Sequence, residues 1–217
     1  MIKPVLVFDM DGVLVDVTES YRETIAQTVQ HFTGETVSHE KIQEYKNQGG
    51  WNDDWKLSHH IVTQAGKDVP FEYVKEHFQK LFRGGLMERE KWIAKPGTLE
   101  RLADQFQLAI FTGRPREEAQ MTLDRFAGSV TFDPIIGMYD VTAHKPDPEG
   151  LLKIENRAFY IGDTVDDARA ARAAKTPFIG IAGPSNPLYI DLVFLFQEEG
   201  AYAMIDDINY LEEVFQG

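Results

Sequence analysis

Acidic residues recur in this chain where a short apolar run stops. Asp9 and Asp11 close the run from Lys3 to Phe8 and are followed by Gly12. A glycine there permits a tight turn, so both carboxylates can face one crevice. Asp163 and Asp167 follow another apolar run, Ala158 to Ile161, and open an alanine-rich stretch. Two carboxylates with three residues between them at a strand-to-helix turn can bracket a hard cation through oxygen. Each pair also has a plainer reading. The first could be solvated loop acids, and the second could cap a helix whose free amides and dipole favour aspartate. Among the acids at 163, 166 and 167, Asp166 is the one expected to cap. Four or more carboxylates gathered in one crevice would repel one another unless a cation neutralised them, and that expense points to Mg2+.

A third apolar run, Leu108 to Phe111, ends at Thr112-Gly113-Arg114-Pro115. Thr112 and the amides beside it, Gly113 included, offer hydrogen bonds to phosphate oxygens. Lys145, within His144-Lys145-Pro146-Asp147-Pro148, supplies positive charge where phosphoryl charge needs compensation. Either residue alone is ordinarily structural or solvated. Their order along the chain, together with the acids, carries the argument.

The elements that must hold these groups alternate. Strand-like runs at 3–8, 108–111, 158–161 and 178–182, with a further one at 202–205, are separated by helical patterns at 98–105, 117–126, 168–174 and 188–198. Another short apolar stretch spans 134–138. Such alternation predicts an α/β fold, a Rossmann-like doubly wound parallel sheet whose ligands bind beyond the carboxyl ends of the strands. All three polar clusters sit at such ends. Helical patterns at 20–32, 57–65 and 71–82 interrupt the alternation after the first strand. Residues 15–92 therefore read as an inserted α-helical cap domain, and residues 1–14 with 93–217 as the catalytic core. There is no internal repeat and no low-complexity segment.

In this order the clusters resemble the haloacid dehalogenase superfamily: Phe-Asp-Met-Asp-Gly-Val at 8–13, Ile-Phe-Thr-Gly at 110–113, His-Lys-Pro-Asp-Pro at 144–148 and Ile-Gly-Asp-Thr-Val-Asp-Asp at 161–167. The likeness runs from Val5 to about Ala182, and the helical insert between the first two motifs is similar to the cap of the phosphoglycolate phosphatase and β-phosphoglucomutase branch. One departure is Ala174-Lys175-Thr176, where many relatives have Ala-Gly. The resemblance implies that Asp9 is a nucleophile forming an aspartyl-phosphate, and that Asp11 acts as acid toward the leaving oxygen and then as base toward water. It implies Mg2+ held by the Asp9 side chain, the Asp11 carbonyl and Asp163, with Asp167 anchoring the outer shell. Thr112, Gly113 and Lys145 would bind the phosphoryl group. Relatives that break carbon–halogen bonds lack the second acid, so the presence of Asp11 argues against dehalogenation.

The core motifs see only the phosphate, so selection among substrates falls to the insert. Its segment Lys46 to Trp55 is hinged by Gly49-Gly50 and dense in hydrogen-bonding groups. Lys46, Asn47, Gly50, Asn52 and Asp53 are the residues expected to reach the substrate. The alternative is a helix cap with two core tryptophans, while His59 and His60 are expected to pack or face solvent. The leading expectation is a phosphatase acting on a small phosphorylated metabolite. A phosphomutase of the β-phosphoglucomutase kind shares every motif, and a non-catalytic phosphate-binding protein is disfavoured by intact Asp9, Asp11, Lys145 and Asp163.

The bulk of the chain agrees. Its 217 residues, 43% hydrophobic, suffice for one large or two small domains. With no cysteine, thiolate metal sites and disulfides are excluded, which fits a cytoplasmic chain. A formal charge of −13 without a basic patch speaks against nucleic acid or an anionic membrane as partner. No apolar run approaches the roughly 20 residues of a membrane span.

Overall fold

The computed structural model describes residues 3–215; positions 1–2 and 216–217, assigned to the core segment above, lie outside the described residues. Six strands form one parallel sheet: β1 (Val5–Phe8), β4 (Gln107–Phe111), β5 (Phe132–Ile136), β6 (Arg157–Gly162), β7 (Phe178–Ile181) and β8 (Ala203–Ile205), in the order β5-β4-β1-β6-β7-β8. β1 is buried on both faces, as its unbroken Val-Leu-Val-Phe run requires of a strand covered by helices above and below. It sits between β4 and β6, so its acidic tip meets the tips of both neighbours. The alternation read from the sequence is thus present as a doubly wound sheet.

Helices α5 (Thr98–Gln105), α6 (Arg116–Phe126), α7 (Glu149–Leu152), α8 (Val165–Ala173), α9 (Tyr189–Glu198) and α10 (Leu211–Val214) accompany the strands. Two apolar clusters fill the faces. One gathers Leu6, Phe8, Ile110 and Ile161 and runs on into the helices that follow β1; the other gathers Val7, Ala109, Tyr160, Leu151 and Phe196.

Between β1 and β4 the chain makes a helical excursion of α1 (Glu23–Thr33), α2 (His39–Gln48), α3 (Asp54–Gln64) and α4 (Phe71–Arg83). It leaves and returns through an antiparallel ribbon of two-residue strands, β2 (Val15–Asp16) and β3 (Lys91–Trp92), with Val15 opposite Trp92 and Asp16 opposite Lys91. The amphipathic faces of α1 and α4 close on one another through Ile25, Val29, Phe78 and Phe82. Because α2 extends to Gln48 and α3 starts at Asp54, the loop expected over 46–55 is shorter than the sequence indicates. Lys46 and Asn47 belong to the last turn of α2. Among the described residues no helix is long and apolar enough to cross a membrane.

Candidate active site

The carboxyl ends of β1, β4 and β6 deliver the acids and their partners. Asp9 follows β1 directly, and its amide donates to the Ile161 carbonyl at 2.8 Å, locking the tips of β1 and β6 together. Its side chain is buried, with Lys145 Nζ at 2.9 Å from Oδ1. The same ammonium lies 2.7 Å from Asp167 Oδ1. Gly12 makes this packing possible: its φ is +72°, and a Cβ there would fall 1.9 Å from Asp163 Oδ2. No other residue type could sit so close to that carboxylate.

One carboxylate oxygen from each of Asp9, Asp163 and Asp167 lies within 4.8 Å of the other two. Their electrostatics show strain. Burial pushes the Asp9 carboxyl up to about 7; Lys145 opposes this, while Asp167 and Asp11 add to it. Burial also drives Asp163 well above the usual carboxylate range, reinforced by Asp9 and Asp167. At Asp167 burial pushes upward too, but Lys145 and hydrogen bonds from Thr164 and Tyr160 outweigh it and hold the group low. Three buried hard-oxygen donors with one ammonium among them are a set that a divalent cation fits. Asp167 already accepts from Tyr160, at 2.6 Å, and from Thr164, so it suits an anchoring place better than a direct one.

The pocket in front of this cluster is lined on the sheet side by Asp9, Asp11, Gly113, Arg114 and Asp163, and on the insert side by Arg22, Lys46, Asn52, Asp53, Asp54 and Trp55. Thr112 and Lys145 are buried without lining it. Thr112 Oγ1 accepts from the Arg114 amide at 3.2 Å. Asn52 sits against the β4 turn, since a Cβ on Gly113 would come within 2.5 Å of its amide nitrogen.

Three expectations need correction. Asp166 does not cap α8. Thr164 does, accepting from the Asp167 amide while Asp167 returns the bond in a capping box. The Asp166 carboxylate instead receives the Gly50 amide of the insert, at 2.9 and 2.8 Å, and so pins the loop to the core. Gly50 thereby serves docking and is not a lining residue. Asn47 does not line the pocket; its Oδ1 accepts from Gln43 within α2 at 2.8 Å. Asp53 does line the pocket, but its Oδ1 caps α3 by accepting from the Trp55 and Lys56 amides. Lys46 forms a 2.5 Å ion pair with Asp54. As anticipated, His59 and His60 pack, against Phe71 and Trp51 respectively.

The residue that sequence reasoning passed over is Arg114. It is 2% exposed and bridges Asp11, at 2.6 Å from Nε to Oδ1, and Glu90, at 2.7 Å from Nη1 to Oε1. The one hint in the sequence is an arginine directly after the Thr112-Gly113 tip.

This fold and this set of strand-end acids define a hydrolase class. A family model described as haloacid dehalogenase-like hydrolase matches residues 6–181, and the chain belongs to that family. It is 34% identical over 197 residues to a protein of Phytophthora nicotianae named imidazoleglycerol-phosphate dehydratase, covering 82% of this chain but only 43% of that one. The chain thus spans less than half the length of that relative. It is 24% identical to a phosphoglycolate phosphatase of Pseudomonas fluorescens, covering 82% of this chain and 68% of the relative. Among solved structures, a haloacid dehalogenase-like hydrolase from Bacteroides fragilis superposes with a TM-score of 0.80 at 25% identity, covering 96% of this chain and 99% of the other.

Proposed function

We propose that this protein is a magnesium-dependent phosphatase that hydrolyses a small phosphorylated metabolite through an aspartyl-phosphate on Asp9. The observation that carries the proposal is the buried Asp9, Asp163 and Asp167 cluster with Lys145 set between two of its members. The Asp9 side chain, the Asp11 carbonyl and Asp163 would hold Mg2+, with Asp167 behind them. The bound ion would supply charge neutralisation for the nucleophile and the phosphoryl oxygens.

The chain's own residues do the rest. Asp9 attacks phosphorus, the bond to the leaving oxygen breaks, and Asp11 gives that oxygen a proton. Asp11, now a carboxylate, takes a proton from water, which attacks phosphorus and frees Asp9. Thr112, the Gly113 amide and Lys145 offset phosphoryl charge. We assign residues 15–92 as a cap domain that closes over the leaving group, a reading supported by the β2–β3 ribbon at its two ends. The relative named as a dehydratase lends no dehydratase activity to this chain. A sugar phosphomutase remains the second reading, because the same groups would serve it.

The decisive experiment is hydrolysis of phosphorylated metabolites by purified protein with and without Mg2+, beside Asp9→Asn. The proposal expects turnover only in the metal-loaded native chain. Turnover by Asp9→Asn would overturn it, and activity requiring a sugar bisphosphate activator would select the mutase.

A further inference from the structure

The charged side chain buried most deeply at the pocket wall has no part in the chemistry above. Arg114 sends Nε and Nη2 to Asp11, at 2.6 and 2.5 Å, and both contacts fall on the same oxygen, Oδ1. Asp11 Oδ2 has no hydrogen-bond or ion-pair partner among the described residues, on a side chain that is 29% exposed at the pocket. We infer that Arg114 is a positioning residue that divides the labour of the Asp11 carboxyl, anchoring Oδ1 so that Oδ2 is the oxygen that hands the proton to the leaving group and recovers it from water. The inference rests on the reading of Asp11 as acid and base.

The guanidinium is itself fixed from behind. Nη1 meets Glu90 at 2.7 Å and donates to Thr122 Oγ1 at 2.9 Å, and the Thr122 hydroxyl donates to Glu90 Oε2 at 2.8 Å. Arg125 approaches Glu90 at 3.4 Å, and the Tyr21 ring faces the guanidinium 4.7 Å from its centroid. Burying such a charge is expensive unless every partner is in place, and breaking the network by removing one partner costs more than the network yields. A rigid, planar fork that holds one carboxylate oxygen and leaves the other free is a task for arginine; a lysine ammonium supplies charge without orientation.

The proton step has a consequence that a purely structural role lacks. In transfer, the phosphorus–leaving-oxygen bond breaks, the phosphorus–Asp9 bond forms and the proton on Oδ2 moves to the leaving oxygen. A poor leaving group needs that proton and a good one does not. Arg114→Gln and Arg114→Lys, assayed with Mg2+ on a simple alkyl phosphate and on 4-nitrophenyl phosphate, should lose kcat on the alkyl ester by roughly tenfold or more beyond any loss on the aryl ester. Thr122→Val, which loosens the support of Arg114 without touching the pocket, should tilt the ratio the same way by less. Asp11→Asn, run in parallel, should show the largest tilt. Equal losses on both esters that track a fall in Tm would overturn the inference, as would full alkyl activity in Arg114→Lys. If Asp11→Asn tilts the ratio and the Arg114 variants do not, only this inference falls. If Asp11→Asn gives no tilt, the acid reading of Asp11 falls and takes the inference with it.

Discussion

The two walls of the pocket both carry acids but neutralise them differently. On the insert side each acid is settled by near neighbours: Asp53 caps its own helix, and Asp54 pairs with Lys46 eight positions away. On the sheet side Asp9 follows β1 while Asp163 and Asp167 follow β6, and the one ammonium among them, Lys145, reaches Asp9 and Asp167 but leaves Asp163 without a cationic partner among the described residues. The first wall pairs its acids with neighbours on its own segment, whereas the second gathers more buried carboxylates than it has cations to match, the deficit that the proposed Mg2+ would fill. An acid whose partner is local reads as architecture, and an acid whose partner is missing reads as function.

The sharpest way to break this contrast is Asp163→Asn. It should lower phosphatase activity by more than about a hundredfold while raising the Tm of the metal-free protein, because it removes one of the repelling buried carboxylates. A Tm that falls would show that the cluster is not in deficit. Next comes pH. A carboxyl raised to about 7 in the folded state binds a proton that the unfolded chain has already lost, so its contribution to stability declines as pH rises toward and through that value. Asp163 shifts the same way, and Asp167, held low, acts only in the acid range. Thermal scans of the metal-free protein should therefore show lower Tm at about pH 8 than at about pH 6, with Mg2+ closing most of the gap. A gap untouched by Mg2+ would place its cause outside the cluster.

The insert side should respond more weakly and in two separable ways. Asn52→Ala should reduce kcat/KM for the true substrate by roughly tenfold and leave acetyl phosphate nearly unaffected, as expected for one lost polar contact of about 1–3 kcal/mol. Asp53→Ala should instead destabilise the fold by about 1 kcal/mol through loss of the α3 cap, measured by urea unfolding. If the two variants behaved alike, the distinction between contact and cap would fail. The smallest effect is expected from Asp166→Ala, which frees the Gly50 amide and should raise KM by roughly fivefold or less with kcat little changed.

The sheet and its acid tips were legible because one signal carries both facts. A valine-rich run that stops at an acid is a buried parallel strand and also the place where a ligand binds. The ribbon at 15–16 and 91–92 left no trace, since two-residue strands are too short to show a period. The sequence reading gives no separate helix at His39–Gln48, because that segment is mostly polar and buries little more than Ile42 and Gln43. Arg114 was invisible for a different reason. It lies 103 positions from Asp11, and its rear partner Glu90 stands in a charged stretch with no motif. A local rule makes Asp166 a cap, and a competing local rule, the threonine at 164, takes that place.

The ribbon also bears on how such a chain can change over generations. Asp16 and Lys91 stand opposite one another, so the chain leaves the sheet and rejoins it at a single doorway. Away from the doorway the helices are tied to the core at a few named points, the Gly50 amide on Asp166 and Tyr21 and Arg83 on Glu118, so a change in helix length disturbs the strand ends least where it spares those ties. A lineage built this way can vary the insert side of its pocket most freely at residues between Val17 and Glu90 that make none of those ties. Where a change does cross the doorway, as at Glu90 behind Arg114, it should be among the slowest positions of the insert to drift.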